Sequence, residues 1–97
     1  MKNLITQEGD LIAHYSKIYE ALGQESRLKV FNLICQSSNK GIRPKEIVEQ
    51  LGIDSGTLQF HLKRLMAVNL IMTKPNGPRG TYYLNENTPK GIVRAFS

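Results

Sequence analysis

Between residues 55 and 64 the chain places Ser55, Gly56, Thr57, Gln59, Phe60, His61, Lys63 and Arg64 around two leucines, Leu58 and Leu62. Side chains of these types read base edges and phosphates. Glutamine bonds adenine at two points, serine and threonine accept from or donate to several bases, and lysine reaches guanine or phosphate. Gly56 lets backbone come close to a duplex, and a helix N-terminus at this point attracts phosphate. At 3.6 residues per turn Phe60 lies about two hundred degrees from Leu62 and therefore faces outward. It suits a thymine methyl or, equally, packing against a neighbouring loop. His61 borders the leucine stripe, where a half-buried histidine bonded to a carbonyl or a phosphate outweighs a metal ligand. Further along, Lys74 and the loop Pro75-Asn76-Gly77-Pro78-Arg79-Gly80 add cations, and Arg79 on so slim a loop suits a minor groove or a phosphate.

Other chemistries lack their parts. His14 has no Asp, Glu, Cys or His at i+3 or i+4, so no metal site assembles locally. Cys35 is the single cysteine, which excludes an intramolecular disulfide and a Cys-x-x-Cys knuckle. On the buried side of its helix it is expected to behave as a small apolar residue. There is no phosphate-loop glycine pattern and no Ser/His/Asp set at a recognisable spacing, and Glu46 and Glu49 stand i, i+3 on a solvent face. No enzyme and no cofactor are expected.

The elements that must position these residues are mostly helical. A first helix over about residues 10–22 carries Leu11, Ile12, Tyr15, Ile18, Tyr19 and Leu22 on one face, with Asp10 able to cap it. A second covers about Glu25–Ser37, with Leu28, Phe31, Ile34 and Cys35 together. Pro44 opens a third, with Ile47, Val48 and Leu51 inward, and Gly52 ends it. Asp54 then caps a fourth, with Leu58, Leu62, Leu65 and Met66 inward and Asn69 closing it. Two short helices joined by a glycine-containing turn, over about residues 44–68, form a helix-turn-helix. Leu70–Lys74 and Thr81–Leu84 read as the strands of a hairpin, a wing over residues 70–84. Thr88-Pro89 then reads as the cap and first residue of a last helix over about 89–97, with Ile92, Val93 and Phe96 apolar. The expected fold is mainly α with a small β-hairpin, a winged helix-turn-helix of about five helices and a two-stranded wing in one domain of residues 1–97.

The charge is unevenly spread. The 97 residues carry a net +5, yet residues 1–25 hold two basic and four acidic side chains, while residues 26–97 hold 11 basic and four acidic ones. One part is thus suited to a polyanion and another is not. Leu65–Thr73, free of charge, falls well short of the roughly 20 residues that span a bilayer. Met1–Glu8 meets an acid before any apolar region develops, unlike a signal peptide. A cytoplasmic, thiol-reduced protein is expected.

Set in order, these features resemble the ArsR/SmtB winged-helix family. Ala21-Leu22-Gly23-Gln24-Glu25-Ser26-Arg27-Leu28 resembles the family's "ALADPTRL" opening, and Gly41–Leu65 resembles its core, with Thr57, Leu58, His61, Leu62 and Leu65 on the recognition-helix pattern. Tyr82-Tyr83-Leu84 resembles the second wing strand, so the likeness covers about residues 18–84. It implies a homodimeric repressor bound to an imperfect palindrome of double-stranded DNA. It also implies a dimer interface from the first and last helices, here Leu11, Ile12, Tyr15, Ile18, Tyr19, Ile92, Val93 and Phe96. Where metal sensors of the family carry Cys-x-Cys, this chain has Arg43-Pro44-Lys45, and Thr88–Ser97 contains no acid, His or Cys. Dithiol sensors place a cysteine near the position of Asn32, and Cys35 has no mate. The resemblance therefore identifies no small-molecule effector. The rival reading is a winged-helix module for protein contact without DNA binding, with outward Phe60 as its anchor.

Overall fold

Local chemistry sets most of the helix ends. The computed structural model describes residues 2–96, with side chains from residue 9 onward. Its helices are α1 Lys2–Leu22, α2 Glu25–Gln36, α3 Pro44–Leu51, α4 Ser55–Ala67 and α5 Lys90–Ala95, with a 3-10 turn at Ser38–Lys40. Strands β1 (Ile71–Met72) and β2 (Tyr83–Leu84) pair antiparallel, Ile71 opposite Leu84 and Met72 opposite Tyr83. The Gln24 side chain caps α2 by accepting from the Arg27 N–H at 2.9 Å. Pro44 opens α3, and Gly52 closes it at φ +64°. Asp54 Oδ2 accepts the Thr57 N–H at 3.0 Å and so caps α4. At the other end of α4, Asn69 takes φ +58°. There the Leu70 N–H reaches the Leu65 carbonyl at 3.1 Å and the Asn69 N–H reaches that of Met66 at 3.0 Å. This pair of bonds is a Schellman closure.

Several boundaries differ from the expected ones. The first helix starts at Lys2 rather than near Asp10, which is an interior residue and caps nothing. No proline interrupts residues 2–10, and one glycine, Gly9, costs a helix only about 1 kcal/mol. The strands are two residues long because Tyr82 leaves the hairpin to form a bridge with Ile42. Thr88 is buried and sends its hydroxyl to the Leu70 carbonyl at 3.1 Å, so α5 starts after Pro89 without a side-chain cap. Met66 is exposed rather than inward. Residues 1 and 97, and the side chains of residues 2–8 on which the reading of the N-terminus rests, lie outside the described residues.

The core collects Ile18 from α1, Val30, Phe31 and Ile34 from α2, Ile42, Ile47 from α3, Leu58, Leu62 and Leu65 from α4, Leu70, Ile71 and Ile92. Helix α2 is central and packs against α1, α3, α4 and β2. Ile18 and Ile92, expected at an interface with a second chain, are instead buried within this one. Phe96 also turns inward, meeting Phe31 edge to face at 5.4 Å, and Gln36 Nε2 donates to its carbonyl at 2.7 Å. An apolar stripe is legible in sequence, but its partner is not, and the core takes what its own chain offers first. Residues 9–14 of α1 are all exposed, so this part of the helix projects from the domain. The radius of gyration, 14.5 Å, accordingly exceeds the roughly 12.5 Å of a compact domain of this length.

His61 is the largest departure. It is 2% exposed, and neither ring nitrogen has a hydrogen-bond partner among the described residues. It faces the interior, not a duplex, because its position next to Leu62 turns it toward α2. Burial, and then the positive charge of Arg27, hold its pKa below the ordinary 6.5. Arg27 is itself buried and donates Nε–H to the Ala21 carbonyl.

Two outcomes follow from this packing. A folded state that resists protonating His61 loses stability relative to the unfolded chain as pH falls through about 6.5. Urea melts at pH 7.5 and 5.5 should therefore show a loss that shrinks in His61→Leu, and equal losses in both proteins would contradict the burial. At Gly41, φ is +73° and an added Cβ would stand 2.5–2.8 Å from Tyr83 and Thr81 side-chain atoms, whereas at Gly52 it would meet open space. Thermal or chemical melts should place Gly52→Ala about 1 kcal/mol below the parent for its left-handed backbone. Gly41→Ala should fall further by about 1–3 kcal/mol for overpacking.

Candidate nucleic-acid interface

With Leu58, Leu62 and Leu65 buried, α4 turns Ser55, Gly56, Thr57, Gln59, Phe60, Lys63 and Arg64 to solvent, all of them exposed. Seven of the eight residues expected on this face are there; His61 is not. The cap shapes the approach end. Thr57 gives both its N–H and its hydroxyl to Asp54 Oδ2, at 3.0 and 3.4 Å. A Cβ on Gly56 would come within 3.0 Å of that oxygen, so the glycine also keeps room for the cap. The cap carboxylate offsets the attraction of the helix end for phosphate and leaves specific contacts to the side chains that follow.

Arg64 is shared. Its Nη2 lies 3.3 Å from Glu20 Oε1 on α1, and its guanidinium carbon stands 6.0 Å from the Phe60 ring centre. Both partners of the ion pair are exposed, so it holds the side chain weakly, by about 0–1 kcal/mol. Phe60 is 57% exposed, which leaves its ring open to a contact.

The wing lies beside the helix-turn-helix because Ile42 and Tyr82 exchange backbone hydrogen bonds of 2.9 and 2.8 Å. Arg79 and Lys74 are exposed on it. Lys74 Nζ sits 4.2 Å above the Tyr83 ring. Arg43, just before α3, donates from Nη2 to the Arg79 carbonyl at 3.3 Å and so braces the loop from below. Sequence reasoning did not single out Arg43 as a brace for the wing. The signal present was a pair of cations, Arg43 and Lys45, flanking the proline that opens α3. Cys35 is half-buried, and burial pushes its thiol up to about 11, away from the reactive thiolate. Among the described residues no three of His, Cys, Asp and Glu gather as a metal site would require, and no helix is long and apolar enough to cross a membrane.

Comparison with known proteins fits this geometry. The arsenical resistance operon repressor of Bacillus subtilis (strain 168) is 26% identical over 86 residues, which are 89% of this chain and 80% of that protein. It supports the ArsR-type resemblance seen in residues 18–84. Reduced HlyU from Vibrio cholerae N16961 shares the fold at a TM-score of 0.73, with 19% identity over 92% of this chain and 90% of that one. The transcriptional regulator HlyU from Vibrio vulnificus CMCP6 shares it at 0.67, with 21% identity over 98% and 94%. Residues 23–93, from the start of α2 into α5, match the family described as winged helix-turn-helix transcription repressor, HrcA DNA-binding. The chain belongs to that family of winged-helix DNA-binding transcription repressors and is a regulator, not an enzyme.

Proposed function

We propose that the protein acts in the cytoplasm as a homodimeric repressor that sets α4 of each protomer into successive major grooves of an imperfect palindrome. Half-sites would lie about 34–36 Å apart. The observation that carries this reading is the division of α4 into a buried leucine stripe and an exposed polar face, flanked by a basic wing. Ser55, Thr57, Gln59 and Phe60 meet bases, with Gly56 at the point of approach. Lys63, Lys74, Arg79 and Arg43 meet phosphate or the minor groove, and Arg64 joins them by leaving Glu20. The homodimer reading is supported by the apolar surface of α1, where Leu11, Ile12 and Tyr19 are 55%, 71% and 60% exposed and Tyr15 is half-buried. So much apolar surface on one helix marks an interface. Val93 and the rest of α5 would border it.

The Bacillus relative is named for arsenical resistance. We do not extend that response to this chain, because Arg43-Pro44-Lys45 replaces the Cys-x-Cys of the family's metal sensors and Cys35 stands alone. Regulation proceeds without a metal-sensing site. Exposed Phe60 favours one other reading, a protein-contact module. Absence of any duplex binding at low salt would select it.

If a dimer neutralises on the order of six to eight phosphates, log K should fall against log salt with a slope of roughly −5 to −7. A salt-insensitive complex would sink the DNA reading. Fluorescence anisotropy should show Arg79→Ala weakening all sequences alike and Gln59→Ala changing sequence preference. Ile12→Glu, on the projecting helix, should shift the sedimenting species from dimer to monomer while circular dichroism stays unchanged. A dimer that persists would place the interface elsewhere.

A further inference from the structure

A cleft of about 530 Å³ opens between the 3-10 turn, the base of the wing and α5. Its size is that of a small-molecule site, roughly 300–1,000 Å³. Met72, Leu84 and Val93 give it an apolar floor, beside the buried Tyr83. Lys74, Lys90 and Arg94 surround that floor against one acid, Glu86. Lys90 and Arg94 are i, i+4 on α5 and so share a face. Lys74 is carried over the cleft wall by its contact with the Tyr83 ring. Among the described residues neither these three cations nor Glu86 forms an ion pair, and Lys74 is held by the Tyr83 ring alone. An apolar floor ringed by cations that no carboxylate neutralises matches a ligand with an apolar body and an anionic head.

We propose that this cleft binds a small amphipathic anion, an aromatic carboxylate or sulfonate. Its ring lies on Met72, Leu84 and Val93, and its charge lies between Lys90 and Arg94, with Lys74 drawn onto it. Occupancy takes Lys74 from phosphate and so weakens DNA binding. That second step rests on the proposed DNA function; the binding step does not.

The probe is 1-anilinonaphthalene-8-sulfonate, titrated by fluorescence against the full chain, with salicylate as competitor. Saturable binding at one site per chain, displaced by salicylate, is expected. The double variant Lys90→Gln/Arg94→Gln should bind about tenfold more weakly, as loss of charge-assisted contacts implies, with an unchanged circular dichroism spectrum. Met66→Ser, which removes an exposed apolar side chain away from the cleft, should leave binding as it was. No saturable binding, equal binding by the α5 variant, or loss in the Met66 variant each overturns the site. Salicylate should also lower duplex affinity severalfold in the parent and not in Lys74→Gln. If duplex affinity is high but indifferent to salicylate, the regulatory step is wrong; if no duplex binds at all, the DNA reading has failed and the cleft is judged by the titration alone.

Discussion

Two hydrogen bonds between Ile42 and Tyr82 fix the geometry on which the DNA-facing surface depends. They join the segment that leads into α3 to the strand that returns from the wing. Without them the loop carrying Arg79 would hang from a hairpin of two paired residues on each side, too short to be stiff. The approach is so close that Gly41 has no room for a side chain, since Tyr83 and Thr81 occupy the space. Arg43 then reaches across the same junction to the Arg79 carbonyl. Helix-turn-helix and wing therefore move as one piece, as two elements that read adjacent features of a duplex must.

How far the sequence disclosed this fold depended on whether a feature was local. Asp54, Gly52, Pro44 and Asn69 act through their own neighbours, and each sits in the structure where its chemistry placed it. The leucine spacing of α4 likewise sorted its two faces apart from His61 and Met66, because periodicity reports which side of a helix is apolar. It does not report what covers that side. Ile18 and Ile92 read like Leu11 and Ile12 in sequence, yet the first pair is buried by α2 and its neighbours while the second is exposed. The Ile42–Tyr82 bridge was also hidden, being a pairing of backbones forty residues apart with no side-chain signature.

His61 marks the limit of reading by residue type. Histidine in a basic DNA-facing motif invites a phosphate, but one residue's rotation about α4 separates solvent from core. Burial and the nearby charge of Arg27 disfavour the charged form of His61, and neither ring nitrogen has a hydrogen-bond partner among the described residues. That is a costly arrangement for a polar ring. Its position on the recognition helix makes the seating of α4 against α2 sensitive to protonation, while the outward face carries no titrating histidine.

The uneven charge of the chain acquires a structural meaning through Arg64. Most of the acidic first quarter lies in α1, whose Glu20 holds a cation of α4 at 3.3 Å. The pair is exposed and therefore weak, so a phosphate arriving at α4 competes with Glu20 on nearly equal terms. Burial first, and then the charge of Arg64, hold the Arg27 pKa down while Glu20 opposes them, so release of Arg64 leaves Glu20 facing Arg27. The exchange thus removes one repulsion as it breaks one attraction. In the proposed dimer, where α1 would meet a second copy and α4 would read DNA, the Arg64–Glu20 pair would give binding at one face an electrostatic route to the other.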